Sequence, residues 1–91
     1  MAKYKKIPVV VEVYFWDGNP EGDFPSWLRK AINDKKAKVC VDFNNIISIQ
    51  IETLGGSLRV LPGNYIILGV MGEIYPCKSD IFEMTYELVS E

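Results

Sequence analysis

The side chains that could do chemistry in this chain are few, and those missing matter most. No histidine occurs among the 91 residues. The commonest general base and the commonest metal ligand are therefore absent, and no Ser-His-Asp or Cys-His arrangement can form. Cys40 and Cys77 are the only cysteines and make no CxxC. Two thiols fall short of the four Cys/His ligands of a structural zinc site, so reduced thiols on strands and no metal are expected. No GxSxG, HExxH or GxxxxGK[ST] pattern occurs. Asp80 and Glu83 share a helical turn, a spacing that suits a solvated helix start better than an acid–base pair. The expectation is a non-enzyme with no cofactor.

What remains is binding chemistry. Tyr14, Trp16 and Tyr75 are aromatics that could stack against a ligand or anchor a partner. Arg59 and Lys78 are the only cations after residue 38 and could meet phosphates. Gly69-Val70-Met71-Gly72 lies between two expected strands. It reads as a hairpin turn, and the backbone N–H groups of Gly69 and Gly72 could also cradle an anion. The run Arg29, Lys30, Lys35, Lys36 and Lys38 reads as a solvated face. At a pI near 5.1 and a net charge of −2 it is a poor footprint for nucleic acid. Charge is uneven: residues 1–38 carry eight basic and five acidic groups, the remainder two basic and seven acidic. Such asymmetry can mark a basic footprint or head-to-tail self-association, and more often a solvated helix and a solvated sheet edge.

These residues must be positioned by short elements. Pro8 to Trp16 reads as a strand, with Val9, Val11, Val13 and Phe15 expected inward and Tyr14 and Trp16 on the opposite face, where partial burial under the helix is expected rather than an exposed anchor. Pro25 suits a helix start, and Trp27, Leu28, Ala31 and Ile32 form an apolar stripe on a helix reaching about Asp34. The rest is strand-like. Val39 to Phe43 places Val39, Val41 and Phe43 inward, and Ile46 to Thr53 places Ile47, Ile49 and Ile51 on one face. Gly55-Gly56 is a hairpin turn leading into Ser57 to Leu61, and Pro62-Gly63 fits the centre of a type II turn. Tyr65 to Leu68 and Glu73 to Lys78 are further strands. Ser79 can cap a helical turn from Asp80 to Glu83, and Thr85 to Val89 reads as a final strand. The expected fold is one α+β domain over residues 1–91. A small antiparallel sheet or half-open barrel of six to seven short strands packs against one helix. No apolar run is long enough to span a membrane, and no signal-peptide core follows the basic start.

One stretch is more specific than any of these patterns. Pro62-Gly63-Asn64-Tyr65-Ile66-Ile67, Gly69-Val70-Met71-Gly72-Glu73, Tyr75-Pro76-Cys77-Lys78-Ser79-Asp80-Ile81-Phe82-Glu83 and Thr85-Tyr86-Glu87 follow one another closely. Together with Ile7 to Glu12, Trp16-Asp17-Gly18 and Pro25-Ser26-Trp27-Leu28, they resemble a family of small bacteriophage and prophage proteins. That family repeats a Pro-Gly-Asp turn, a Gly…Gly-Glu turn and a Tyr-Pro-Cys-Lys-Pro-Asp-Ile-Phe-Glu segment. Here Asn64 replaces the usual Asp and Ser79 the usual Pro, and residues 35–52 lie outside the likeness. The resemblance implies an accessory protein acting in the cytoplasm of an infected host. Two modes of action are expected: a homo-oligomer that sequesters a nucleotide-type immune signal, or a module that binds a host protein or assists virion assembly.

Overall fold

The structure is a computed structural model that describes residues 1–89. Six strands and two helices follow the chain as β1 (Glu12–Trp16), α1 (Ser26–Asn33), β2 (Ala37–Val41), β3 (Ile47–Thr53), β4 (Gly56–Val60), β5 (Asn64–Leu68), β6 (Ile74–Cys77) and α2 (Ser79–Thr85). They form two antiparallel three-stranded sheets, β1-β5-β6 and β2-β3-β4. The α+β architecture matches the expectation, with the strands divided between two sheets.

The sheet of β2, β3 and β4 follows the sequence pattern most closely. Ala37 pairs with Ile51, Val39 with Ile49 and Val41 with Ile47, while Leu58 and Val60 face Ile51 and Ile49 across the other side. One face is therefore apolar, and Lys38, Gln50, Glu52, Ser57 and Arg59 occupy the other. This register sets the hairpin loop at Leu54-Gly55, one residue earlier than expected, because Thr53 pairs with Gly56. A one-residue slip would have turned Leu58 and Val60 to the solvent face. Ile49, Ile51, Val60 and Ala37 are buried, but Val41 is 62% exposed and Phe43 wholly so. Those two were expected inward. The apolar face of β2 runs past the edge of α1, so only its first part is covered.

Helix α1 starts after Pro25, whose carbonyl accepts the N–H groups of Leu28 and Arg29. It buries Leu28 and Ala31 and half-buries Trp27 and Ile32, as its spacing requires. It ends where Lys35 adopts a left-handed φ of 62° and Lys36 N–H bonds back to Ala31 O at 2.8 Å.

The sheet of β1, β5 and β6 reverses one expectation. Trp16 is fully buried, and its indole N–H donates to the Ile47 carbonyl at 3.1 Å. With Tyr14 and Ile66 it packs on α1 and the other sheet, whereas Phe15, expected inward, is 48% exposed. The reason is that this sheet is covered on both sides. Tyr14, Trp16, Ile66 and Ile74 meet the main core. Val13, Phe15, Tyr65, Ile67 and Tyr75 form the second face. Apolar residues therefore occur at successive positions and the alternation loses its meaning. Residues 1–11 precede β1 as chain without regular structure, although Pro8 to Val11 were expected in the strand. At the other end, Thr85 to Val89 is no strand. The helix extends to Thr85, because Phe82 and Tyr86 are drawn into an aromatic stack described below.

Candidate functional site

The second face of the β1-β5-β6 sheet carries the candidate site. Ile67 at its centre is completely buried. Around it the rings form a continuous chain, tilted at one end and stacked at the other. Phe15 and Tyr65 lie 5.1 Å apart, Tyr65 and Phe82 are stacked at 3.9 Å, and Phe82 and Tyr86 are stacked at 5.0 Å. Helix α2 has no fully buried residue of its own. At seven residues it is too short to persist alone, so these rings are what dock it. Asn64 adds a polar tether, its side-chain oxygen accepting the Ser79 N–H at 3.0 Å. Ser79 itself is the first helical residue and caps nothing with its side chain; Lys78 holds the N-cap position.

Between this face, the segment Lys6–Val11 and the residues after α2 runs a groove of about 810 Å³. Val13, Tyr75, Phe82 and Tyr86 line its floor, with Gly69, Glu73 and Glu87 along it. Lys6 is its one cation. Burial, the Tyr86 phenol and the Glu73 carboxylate push the Tyr75 hydroxyl up to about 12, so it remains a neutral hydrogen-bonding group throughout the physiological range. Burial, then the nearby Asp80 carboxylate, also raises the Cys77 thiol, which disfavours the thiolate a nucleophile needs.

The expected site residues do not all gather here. Tyr75 and Gly69 line the groove. Trp16 is sealed in the core and cannot stack on a ligand, and half-buried Tyr14 packs edge-to-face on Phe24, with ring centroids 5.5 Å apart. Arg59 lies on the outer face of the other sheet, in a separate hollow of about 390 Å³ with Cys40, Asp42, Phe43 and Ser48. Lys78 is exposed at the start of α2. The two glycine amides are occupied: Gly69 N–H donates to Glu73 O at 2.7 Å and Gly72 N–H to Gly69 O at 3.1 Å. The Glu73 side chain moreover occupies the space beside the Gly69 Cα. The stretch is thus a closed turn with a carboxylate against it, not an anion cradle. Gly72 is required there by its φ of +84°.

Phe82, Tyr86, Tyr65 and Val13 were not singled out from the sequence. The spacing of four between Phe82 and Tyr86 is the available signal, since it places both rings on one side of a helix. Among the described residues no three Cys, Asp or Glu side chains are grouped to hold a metal ion. No helix among them is long and apolar enough to cross a membrane. No family model matches this chain, and neither a curated protein nor a solved structure matches it.

Proposed function

We propose that this protein is a non-enzymatic accessory protein of the bacteriophage type that acts by binding a host protein in the infected cell. The occupant of its groove is an extended protein segment bearing apolar side chains and Lys or Arg. The groove itself carries this reading: it is floored by aromatic and valine side chains, and Glu73 and Glu87 supply its negative charge. Apolar anchors would fill the floor while cations met the two carboxylates. The charge balance of residues 39–91, two basic groups against seven acidic, points the same way.

A nucleotide fits this groove less well. Its base could stack on Tyr75, but its phosphates would face two carboxylates and one lysine. Arg59 stands in a different hollow, and the turn amides are already bonded.

Calorimetry with two synthetic decapeptides, alternating Leu-Lys and alternating Leu-Glu, tests the proposal beside a panel of cyclic and ADP-ribose-type nucleotides. The Leu-Lys peptide is expected to bind at about 1–100 μM, the range of a single short segment, and a Glu73→Lys variant to lose about tenfold. Binding of a nucleotide with neither peptide bound would reassign the function to nucleotide sequestration. Equal binding of both peptides would remove the electrostatic part of the proposal.

A further inference from the structure

The sequence supports a strand over Pro8–Trp16, yet only Glu12–Trp16 has a neighbour, because β5 ends opposite Glu12 at Leu68. Ile7, Val9 and Val10 are 77%, 53% and 75% exposed. β1 is also an edge strand, with β5 on one side only. The chain thus presents an unpaired edge and an apolar overhang, the combination most prone to pairing with another strand.

The polar groups of that edge can be placed. The Trp16 carbonyl accepts the Gly63 N–H at 2.7 Å, so it faces the β5 side. Because the main chain alternates along a strand, Glu12 and Tyr14 also direct their N–H and C=O toward β5. Val13 and Phe15 direct theirs to the open edge, and Val11 and Val9 would follow once the segment before β1, without regular structure in the single chain, continues the strand.

We infer that this edge pairs with the same segment of a second copy, antiparallel and centred on a Val9–Val9 pair. The occupant is argued from complementarity. In this register Ile7 opposes Val11, so the apolar residues share one face. Lys6 opposes Glu12 twice, once on each side of the two-fold axis, on the other face. Pro8 falls at a position whose N–H would point away from the second copy, so its missing donor costs nothing there. The seven-residue ladder from Lys6 to Glu12 is about 23 Å long at ~3.3 Å per residue. It joins the two three-stranded sheets into one of six and closes as an isologous dimer, leaving no β1 edge open. Lys6–Val11 also wall the groove, so the ladder and the groove share this segment; the pairing itself uses main-chain groups at the open edge.

Sedimentation equilibrium of the whole chain from about 1 to 300 μM tests this, with a dimer dissociating in the micromolar range expected. Val9→Pro removes the central edge donor of both copies and should weaken the dimer at least 100-fold, with far-UV circular dichroism and thermal unfolding of the monomer unchanged. Lys6→Glu and Glu12→Lys should each weaken it about tenfold by placing like charges opposite one another, and the double exchange should restore it to within about threefold. A monomer at every concentration overturns the inference. A dimer indifferent to Val9→Pro, or a double exchange that fails to restore it, does so too.

Discussion

Replacing Phe82 with Ala tests whether the aromatic stack is what holds α2 and the groove in place. Phe82 is half-buried and stacks on Tyr65 at 3.9 Å, with 18° between the rings, and on Tyr86 at 5.0 Å and 13°. A fully buried Phe→Ala change costs about 3–5 kcal/mol. Partial burial lowers that, while two aromatic pairs at about 0.5–1.5 kcal/mol each are lost with it. The docking of α2 should therefore weaken by about 2–3 kcal/mol, a factor of about 30–150, and the loss should fall on α2 more than on the main core. Amide exchange reads this directly. The N–H groups of Phe82 and Tyr86, bonded to the Lys78 and Phe82 carbonyls, should exchange faster by that factor, while those of β3 should not change. Tyr75 reports independently, since its hydroxyl owes part of its high pKa to Tyr86; tyrosinate absorbance should show it returning toward 10. Unchanged exchange in α2, together with Tyr75 still titrating near 12, would refute the account of how the groove is built.

Three further outcomes follow from other parts of the fold. Trp16→Phe leaves the Ile47 carbonyl without its indole donor and a gap in a fully buried site, so urea unfolding should show a loss of about 2–3 kcal/mol; under 0.5 kcal/mol would contradict the burial. For Tyr75 the folded-state pKa lies above the unfolded value, so its contribution is fully present below pH 10 and is lost as pH rises toward about 12. The melting temperature should fall across that window, and Tyr75→Phe should flatten the fall; an identical profile in the variant would count against the assignment. Gly63 has φ +95° in the turn before β5, so Gly63→Ala should cost about 1–2 kcal/mol in the same unfolding assay.

What could be read in the residues follows from how local each feature is. The stripe of α1, the Ile47–Ile49–Ile51 face and the Pro62-Gly63 turn depend on spacing within one element, and the structure reproduces them. The facing of β1 depends on what lies on either side of its sheet. Both sides are apolar there, so alternation could not tell which residues meet the main core. The larger ring with a hydrogen-bond donor, Trp16, took the position where the Ile47 carbonyl could accept from it. The site was less legible for the same reason. Tyr75 and Gly69 share the groove because both belong to the local β5-β6 hairpin; the pairing of β1 with β5, which brings Val13 beside them, spans a long stretch of chain, and no residue spacing records it. Arg59 and Lys78 were grouped by their scarcity as cations, which is a property of composition and carries no position. Phe82 lies in a helix that the sequence pattern stopped at Glu83, and Tyr86 comes to its side only because that helix reaches Thr85 and Tyr86 caps it.

The central claim is that the second face of the β1-β5-β6 sheet grips an apolar, cationic protein segment. Titrating the isotope-labelled protein with the Leu-Lys decapeptide and following each backbone amide by NMR tests it most directly. The account predicts saturable shifts confined to the groove, at Val13, Glu73, Tyr75, Phe82, Tyr86, Glu87 and the Lys6–Val11 wall, with Arg59 and Ser48 unmoved. Shifts centred on the Arg59 hollow, or none in the groove at saturating peptide, would contradict it.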